Sequence, residues 1–206
     1  MRSAASKARK KFVVGVLAFQ GDVLEHIEVL KKSALKLRKN VAIISVREKK
    51  DLAGLDGLII PGGESTTLHK LCEREGIFEK IKKIKNILGT CAGAIMLSKN
   101  AQNKTKDQVT LQLMDIEVAR NAYGRQNDSF EADISTTLGA MHAMFIRAPK
   151  ITRTGKNVRV LAEYGGEIIA CEEELKGRYY LALAFHPELT TTLFHEHFLK
   201  KICAQK

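Results

Sequence analysis

Residues 86–97 read Asn-Ile-Leu-Gly-Thr-Cys-Ala-Gly-Ala-Ile-Met-Leu, an apolar run broken in the middle by five small residues, one of which carries a thiol. Asn86–Thr90 has the β-rich, buried character of a strand, and the residues from about Ala92 to Lys99 have that of a helix. Gly-x-nucleophile-x-Gly between a strand and a helix describes a nucleophile elbow, a tight turn that lifts a reactive side chain above a sheet. Cys91 then stands at the amino end of a helix, where negative charge is favoured and thiolate is the attacking species. A buried structural cysteine at a tight crossing is the competing reading of the pentapeptide alone.

Outward from this point the chain alternates. Residues 12–19, 41–46 and 54–60 read as buried strands. Residues 24–37 have helical spacing, and 66–85 hold two helical stretches broken at Gly76. Strand–helix alternation with strands apolar on both faces predicts a parallel sheet covered on both sides, an α/β three-layer α/β/α fold. Residues 100–108 read as a polar surface loop. Shorter strand-like runs follow at 114–119, 143–148, 158–164, 167–173 and 179–187, and helical spacing returns over 193–202. No repeat or second-domain boundary breaks this order. We expect a basic tail over residues 1–11 and a single domain over 12–203.

Bulk properties set the outer limits. The 206 residues are 45% hydrophobic and 28% charged, within the range of ordinary globular chains. No apolar run approaches the ~20 residues that span a bilayer. The basic start MRSAASKARKK precedes an apolar stretch too short for a secretory signal, and it lacks an amphipathic period. Cys72, Cys91, Cys171 and Cys203 lie far apart without a CxxC pair, which argues against a zinc ribbon or disulfide scaffold and for a reducing, cytoplasmic setting. The formal charge of +11 invites a nucleic-acid reading. Its lysines, however, cluster in the first residues and on the polar sides of amphipathic stretches, and no aromatic-interleaved basic motif accompanies them. No nucleic acid or membrane partner is expected.

In an open parallel sheet, ligands bind beyond the carboxyl ends of the strands. Four strand ends here carry unusual residues: Gln20-Gly21-Asp22, Pro61-Gly62-Gly63-Glu64-Ser65, Gly89–Gly93 and His186-Pro187-Glu188. In extended backbone, residues i and i+2 point the same way, so imidazole and carboxylate of the last segment can meet. Base and orienting acid are what a cysteine nucleophile requires. The two glycines of the second segment offer backbone N–H groups of the kind that form an oxyanion hole. His195 and His197 are spaced by two on a helical stretch and point apart, so they do not make a metal pair.

Taken in this order, PGGES, GTCAG and HPE resemble the triad-type (class I) glutamine amidotransferases, whose fold is flavodoxin-like. The resemblance is closest to the glutaminase subunits of two-protein pyridoxal 5′-phosphate synthases. It rests on VGVLAFQGDVLEH (14–26), LDGLIIPGGESTT (55–67), GTCAG (89–93), RNAYGRQNDSFEAD (120–133), FIRAP (145–149) and FHPELT (185–190). It implies Cys91 as nucleophile, His186 as proton carrier, Glu188 as its orienting acid, and N–H donors near Gly63 and Ala92. It implies substrate contacts at Gly62, Gly63, Glu64, Arg120, Ile146 and Arg147. It further implies L-glutamine as substrate, no metal or cofactor, and ammonia passed to a (β/α)₈ synthase in a complex of twelve and twelve subunits. Three features depart from the pattern: the basic tail, the lysine-rich stretch before Leu113-Met114-Asp115 without its usual glycine, and Ala94 in place of a larger apolar residue.

Overall fold

The computed structural model of the chain describes residues 11–120 and 129–205. The strands are β1 Phe12–Leu17, β2 Val41–Val46, β3 Gly57–Ile60, β4 Asn86–Thr90, β5 Ser98–Gln102, β6 Met114–Ala119, β7 Phe130–Thr136, β8 Gly139–Phe145, β9 Lys150–Thr154, β10 Val158–Tyr164, β11 Glu167–Leu175 and β12 Arg178–Leu183. The helices are α1 Val23–Lys36, α2 Ser65–Arg74, α3 Phe78–Ile81, α4 Ala92–Leu97 and α5 Leu193–Ala204.

One mixed sheet holds all twelve described strands. Its first half is parallel, in the order β2-β1-β3-β4-β12. With β12 in fifth place this is the flavodoxin-like 2-1-3-4-5 arrangement. Beyond β12 the main path continues through antiparallel pairs, β11-β10-β7-β8, and β5, β6 and β9 form a branch against β11. The parallel pattern expected from the strand–helix alternation thus describes the helix-covered half of the sheet.

Period-two alternation sends neighbouring residues of the parallel strands to opposite faces. Val14, Val16, Ile59, Leu88 and Leu181 pack with Leu30 of α1 and Phe194 and Phe198 of α5. Leu17, Leu58, Ile60, Ile87 and Ala182 pack with Leu68 of α2, Ile81 of α3 and Met96 of α4. Two cores on two faces give the three layers.

Several boundaries differ from the sequence reading. Residues 98–102, expected to close a helix and open a loop, form β5, which buries Ser98 and Ala101 and pairs with β6. β7 and β9 are strands that the apolar runs do not announce, because their exposed positions are polar. β12 stops at Leu183, so Ala184, Phe185 and His186 leave the sheet while remaining buried. Residues 1–10 of the basic tail, and 121–128 within RNAYGRQNDSFEAD, lie outside the described residues.

Candidate active site

β4 ends at Thr90 and α4 starts at Ala92, so one residue makes the turn. That residue, Cys91, has φ 48° and ψ −103°, a left-handed conformation that costs a side-chain-bearing residue of order 1–3 kcal/mol. The flanking glycines are required by space. A Cβ on Gly93 would lie 2.0 Å from the Ile60 carbonyl oxygen, and one on Gly89 would lie 2.5 Å from Gly93. The strained turn is held by Cys91 N–H donating to Leu183 O (2.8 Å) and by Ile95 N–H donating to Cys91 O (3.2 Å). Ala92 opens α4, where backbone N–H groups have no acceptor inside the helix.

Because β12 is paired with β4, its exit carries His186 toward the elbow. His186 N–H donates to Met144 O of β8 (3.0 Å), which ties this segment to the antiparallel half. The imidazole Nδ1 lies 2.7 Å from Glu188 Oε1 and 3.1 Å from Asp22 Oδ2, and the ring also engages the Cys91 side chain. Cys91 Sγ lies 3.9 Å from Ile146 O.

Burial works against charge on His186, but the hydrogen bonds to Asp22, Cys91 and Glu188 outweigh it and push the imidazolium up to about 12. The two acids diverge. Loss of water raises the Glu188 carboxyl, although the imidazolium draws it down. Asp22 is more exposed, and its hydrogen bond to His186 holds it below the usual carboxylate range. The cluster thus favours a proton on His186 and the ionised form of Asp22, while Glu188 is pulled up by burial and down by the imidazolium.

Behind this pair lies a histidine chain. His26 Nε2 is 3.5 Å from Glu188 Oε1 and 3.2 Å from Thr90 Oγ1, and His26 Nδ1 is 2.9 Å from His195 Nε2. Burial, followed by the charges of His195 and His186, holds His26 neutral by bringing its pKa well below the ordinary value. His195 faces this chain, whereas His197 bonds Glu172 (2.6 Å), so the two do point apart. Cys72 and Cys171 are buried, and desolvation raises both thiols, that of Cys72 to about 12.

A cavity of about 230 Å³ opens over the elbow, smaller than the ~300–1,000 Å³ of pockets for drug-sized ligands. Cys91 and His186 line it together with Gly21 and Asp22, with Gly63 and Glu64, with Arg120, and with Ile146, Arg147 and Pro149. The four strand-end segments thus meet, and the β6 end and the segment after β8 close the wall. Three of the expected site residues lie behind the wall. Gly62 backs the imidazole, where a Cβ would sit 2.5 Å from His186 Cε1; Glu188 is buried beneath His186; Ala92 is buried at the helix start.

Glu64 organises the glycine segment. Its carboxylate accepts from Thr66 N–H (2.8 Å) and Thr67 N–H (2.6 Å) and so caps α2. Burial opposes its charge, but these two donors bring the carboxyl below its ordinary value. Gln20 Nε2 donates to Glu64 O (2.7 Å) and lies over Gly63, whose φ of +120° suits glycine. Arg120 is almost fully buried, and Nη2 donates to Glu64 Oε1 (3.2 Å) and Thr66 Oγ1 (3.0 Å), Nη1 to Gln108 Oε1. Arg147 is exposed at the cavity wall with φ 46° and makes no ion pair among the described residues. The sequence reading places Asp22 at the rim but gives neither Asp22 nor His26 a part in the chemistry. The only sequence signal for them is their place in the segment that follows β1.

A flavodoxin-like sheet with a cysteine elbow, an imidazole–carboxylate pair and a glycine-rich edge around one small cavity fits the glutamine amidotransferase class. The model of the SNO glutamine amidotransferase family matches residues 16–204, and the chain belongs to that family. It is 45% identical to pyridoxal 5′-phosphate synthase subunit PdxT of Methanococcoides burtonii, covering 92% of this chain and 98% of that protein. It is 46% identical to the PdxT of Oenococcus oeni, with 91% and 95% covered. A solved structure titled as a glutamine amidotransferase superposes with a TM-score of 0.78 at 41% identity, covering 93% of this chain and 99% of that one. No helix among the described residues is long and apolar enough to cross a membrane.

Proposed function

We infer that this chain is the glutaminase subunit of a two-protein pyridoxal 5′-phosphate synthase, hydrolysing L-glutamine and supplying the ammonia. The observation that carries the reading is the meeting of Cys91, His186 and Gly63 on one amino-acid-sized cavity. The likeness to PdxT subunits along most of the chain points to the pathway.

In this reading Cys91 Sγ attacks the side-chain carboxamide carbon of glutamine. A protonated His186 faces the sulfur with an opposite charge and favours the attacking thiolate. The tetrahedral oxyanion is met by backbone N–H groups at Gly63 and Ala92. His186 gives its proton to the departing nitrogen, ammonia leaves, and a thioester remains. The neutral imidazole then takes a proton from water, which attacks the thioester and releases glutamate. Glu188 orients the imidazole through Nδ1. Gly63, Glu64, Arg120, Ile146 and Arg147 hold the substrate, with Gly62 acting from behind through His186. Arg147 has the guanidinium best placed to grip the α-carboxylate in a forked pair.

These steps use only the chain's own residues, with no metal or cofactor. Residues 12–203 act as one amidotransferase domain, with the basic tail over 1–11 outside it, in a cytoplasmic setting that keeps the thiols reduced. The partner is a (β/α)₈ synthase, in a dodecameric core carrying twelve glutaminase subunits. The test is glutamate formation from glutamine by wild type and Cys91→Ala, with and without a synthase subunit of the family. Turnover that rises with the partner and is lost in the variant supports the reading. Turnover unaffected by Cys91→Ala overturns it.

A further inference from the structure

One imidazole N–H faces two carboxylates. His186 Nδ1 lies 2.7 Å from Glu188 Oε1 and 3.1 Å from Asp22 Oδ2. The two acids approach from different surroundings, since the Glu188 side chain is 0% exposed and that of Asp22 is 35% exposed. Asp22 also lines the cavity.

The placement of Asp22 is built in. It occupies the N-cap position of α1, where aspartate ordinarily accepts from the helix's first N–H groups, yet it makes no such bond. Its carboxylate goes to the imidazole instead. The preceding Gly21 has φ +82° and packs so closely that a Cβ would lie 2.1 Å from Gly62 O. Asp22 is thereby fixed against the same glycine segment that backs His186. One turn further along α1, His26 N–H donates to Asp22 O (3.1 Å), and His26 Nε2 reaches within 3.5 Å of Glu188 Oε1. Helix α1 therefore brackets the imidazole–carboxylate pair, with Asp22 on the cavity side and His26 on the buried side.

We propose that Asp22 is a second orienting acid, a positioning residue that shares with Glu188 the task of holding His186 Nδ1–H. Either acid alone keeps the proton on Nδ1 and leaves Nε2 for the sulfur and the departing nitrogen. The inference rests on the triad reading and adds to it that the orienting role is divided. Removing a sole orienting acid costs such a site ~10⁴ in turnover, because the imidazole adopts the wrong tautomer. With two acids, the loss of one is partly covered by the other.

The experiment is steady-state glutamate formation by the full chain in complex with a synthase subunit. It compares Asp22→Ala, Glu188→Gln, their double variant and Cys91→Ala, each checked by thermal melting. Asp22→Ala is expected to lower kcat a few-fold with KM unchanged. Glu188→Gln should keep far more turnover than a ~10⁴ loss allows. The double variant should fall at least about tenfold below the product of the two single losses, the coupling expected of neighbours sharing one partner. The isosteric Asp22→Asn, which keeps an acceptor, should lose less than Asp22→Ala in the Glu188→Gln background. Losses that simply multiply, or a rise in turnover on removing Asp22, overturn the proposal. So does turnover that falls on chelation and returns with zinc, since the ligand atoms of Asp22, His186 and Glu188 lie within 4.8 Å of one another and could instead hold a metal ion. Full turnover in Cys91→Ala removes the triad reading itself, whereas additive losses with an inactive Cys91→Ala remove the division of labour alone.

Discussion

Gly62 and His186 are in such close contact that one added carbon on the glycine would stand 2.5 Å from imidazole Cε1. The ring cannot yield freely, because Nδ1 is fixed between Glu188 and Asp22. Gly62→Ala is therefore expected to tilt the imidazole and lower kcat by about tenfold to a thousandfold, as small displacements of reacting groups do. The protein should remain folded. Gly93→Ala meets main chain instead, at 2.0 Å from Ile60 O, and should lower stability by roughly 1–3 kcal/mol. Thermal melting beside glutamate assays separates the two effects.

The elbow makes a second, opposite prediction. Cys91 is held at φ 48°. Cys91→Gly removes strain of order 1–3 kcal/mol and gives back roughly 0.5–1 kcal/mol of backbone entropy. It should be at least as stable as Cys91→Ala, while both are inactive. A denaturant midpoint for Cys91→Gly clearly below that of Cys91→Ala would contradict the strained-turn account.

The pH dependence follows from the charge on His186. Its folded pKa is raised from 6.5 to about 12, so protonation is favoured by the native state. The associated stability is complete below the unfolded value and is lost only as pH rises through the folded one. Asp22 on α1, Glu188 beneath the ring, Cys91 at the elbow and neutral His26 are the groups that face it. We expect kcat/KM to show no inflection near pH 6.5 and to decline only in alkaline solution. A break near 6.5 that disappears with His186→Ala would show an ordinary histidine.

The two cavity arginines should behave differently. Arg147 has no ion-pair partner among the described residues, so Arg147→Ala should raise KM for glutamine by about tenfold to a hundredfold, the loss of one charge-assisted contact, with kcat little changed. Arg120 is held by Glu64, Thr66 and Gln108, so Arg120→Ala should also lower the melting temperature by stranding their acceptors. Paired Michaelis curves and melts distinguish them.

His26 offers a check on the buried side. His26→Leu removes the ring that touches Thr90 Oγ1 and His195 Nε2 and lies beside Glu188 Oε1, whereas His26→Gln keeps a polar group there. The glutamine variant is expected to recover most of the kcat that the leucine variant loses, measured in the same complex.

The elements and residues that the sequence revealed share a physical reason. The parallel strands β1 to β4 are mostly apolar, β1, β3 and β4 being buried almost throughout, and they announce themselves. The glycines around Cys91 mark a turn with no room for side chains. What stayed hidden was half-exposed or long-range. β5, β7 and β9 each expose two or three of their residues, and polar side chains there erase the apolar run. Asp22 stands out as part of a strand end at the shared rim, and His26 only as one residue of an amphipathic helix. Nothing local says that they face residues 186 and 188. His195 meets His26, and that partner, 169 positions away, could not be read from spacing.

The tie from His186 N–H to Met144 O has a consequence for the order in which the chain matures. The elbow belongs to the parallel half, the wall at Ile146 and Arg147 to the antiparallel half, and the imidazole is stitched between them. Each contact joins segments dozens of residues apart, and such contacts form late and slowly in folding. A partly synthesised chain that lacks β12 has neither the Leu183 carbonyl that holds Cys91 on its turn nor a base, an acid or a closed wall. Catalytic competence is therefore the last property this molecule acquires, and a newly made thiol is kept idle until the final strand is in place.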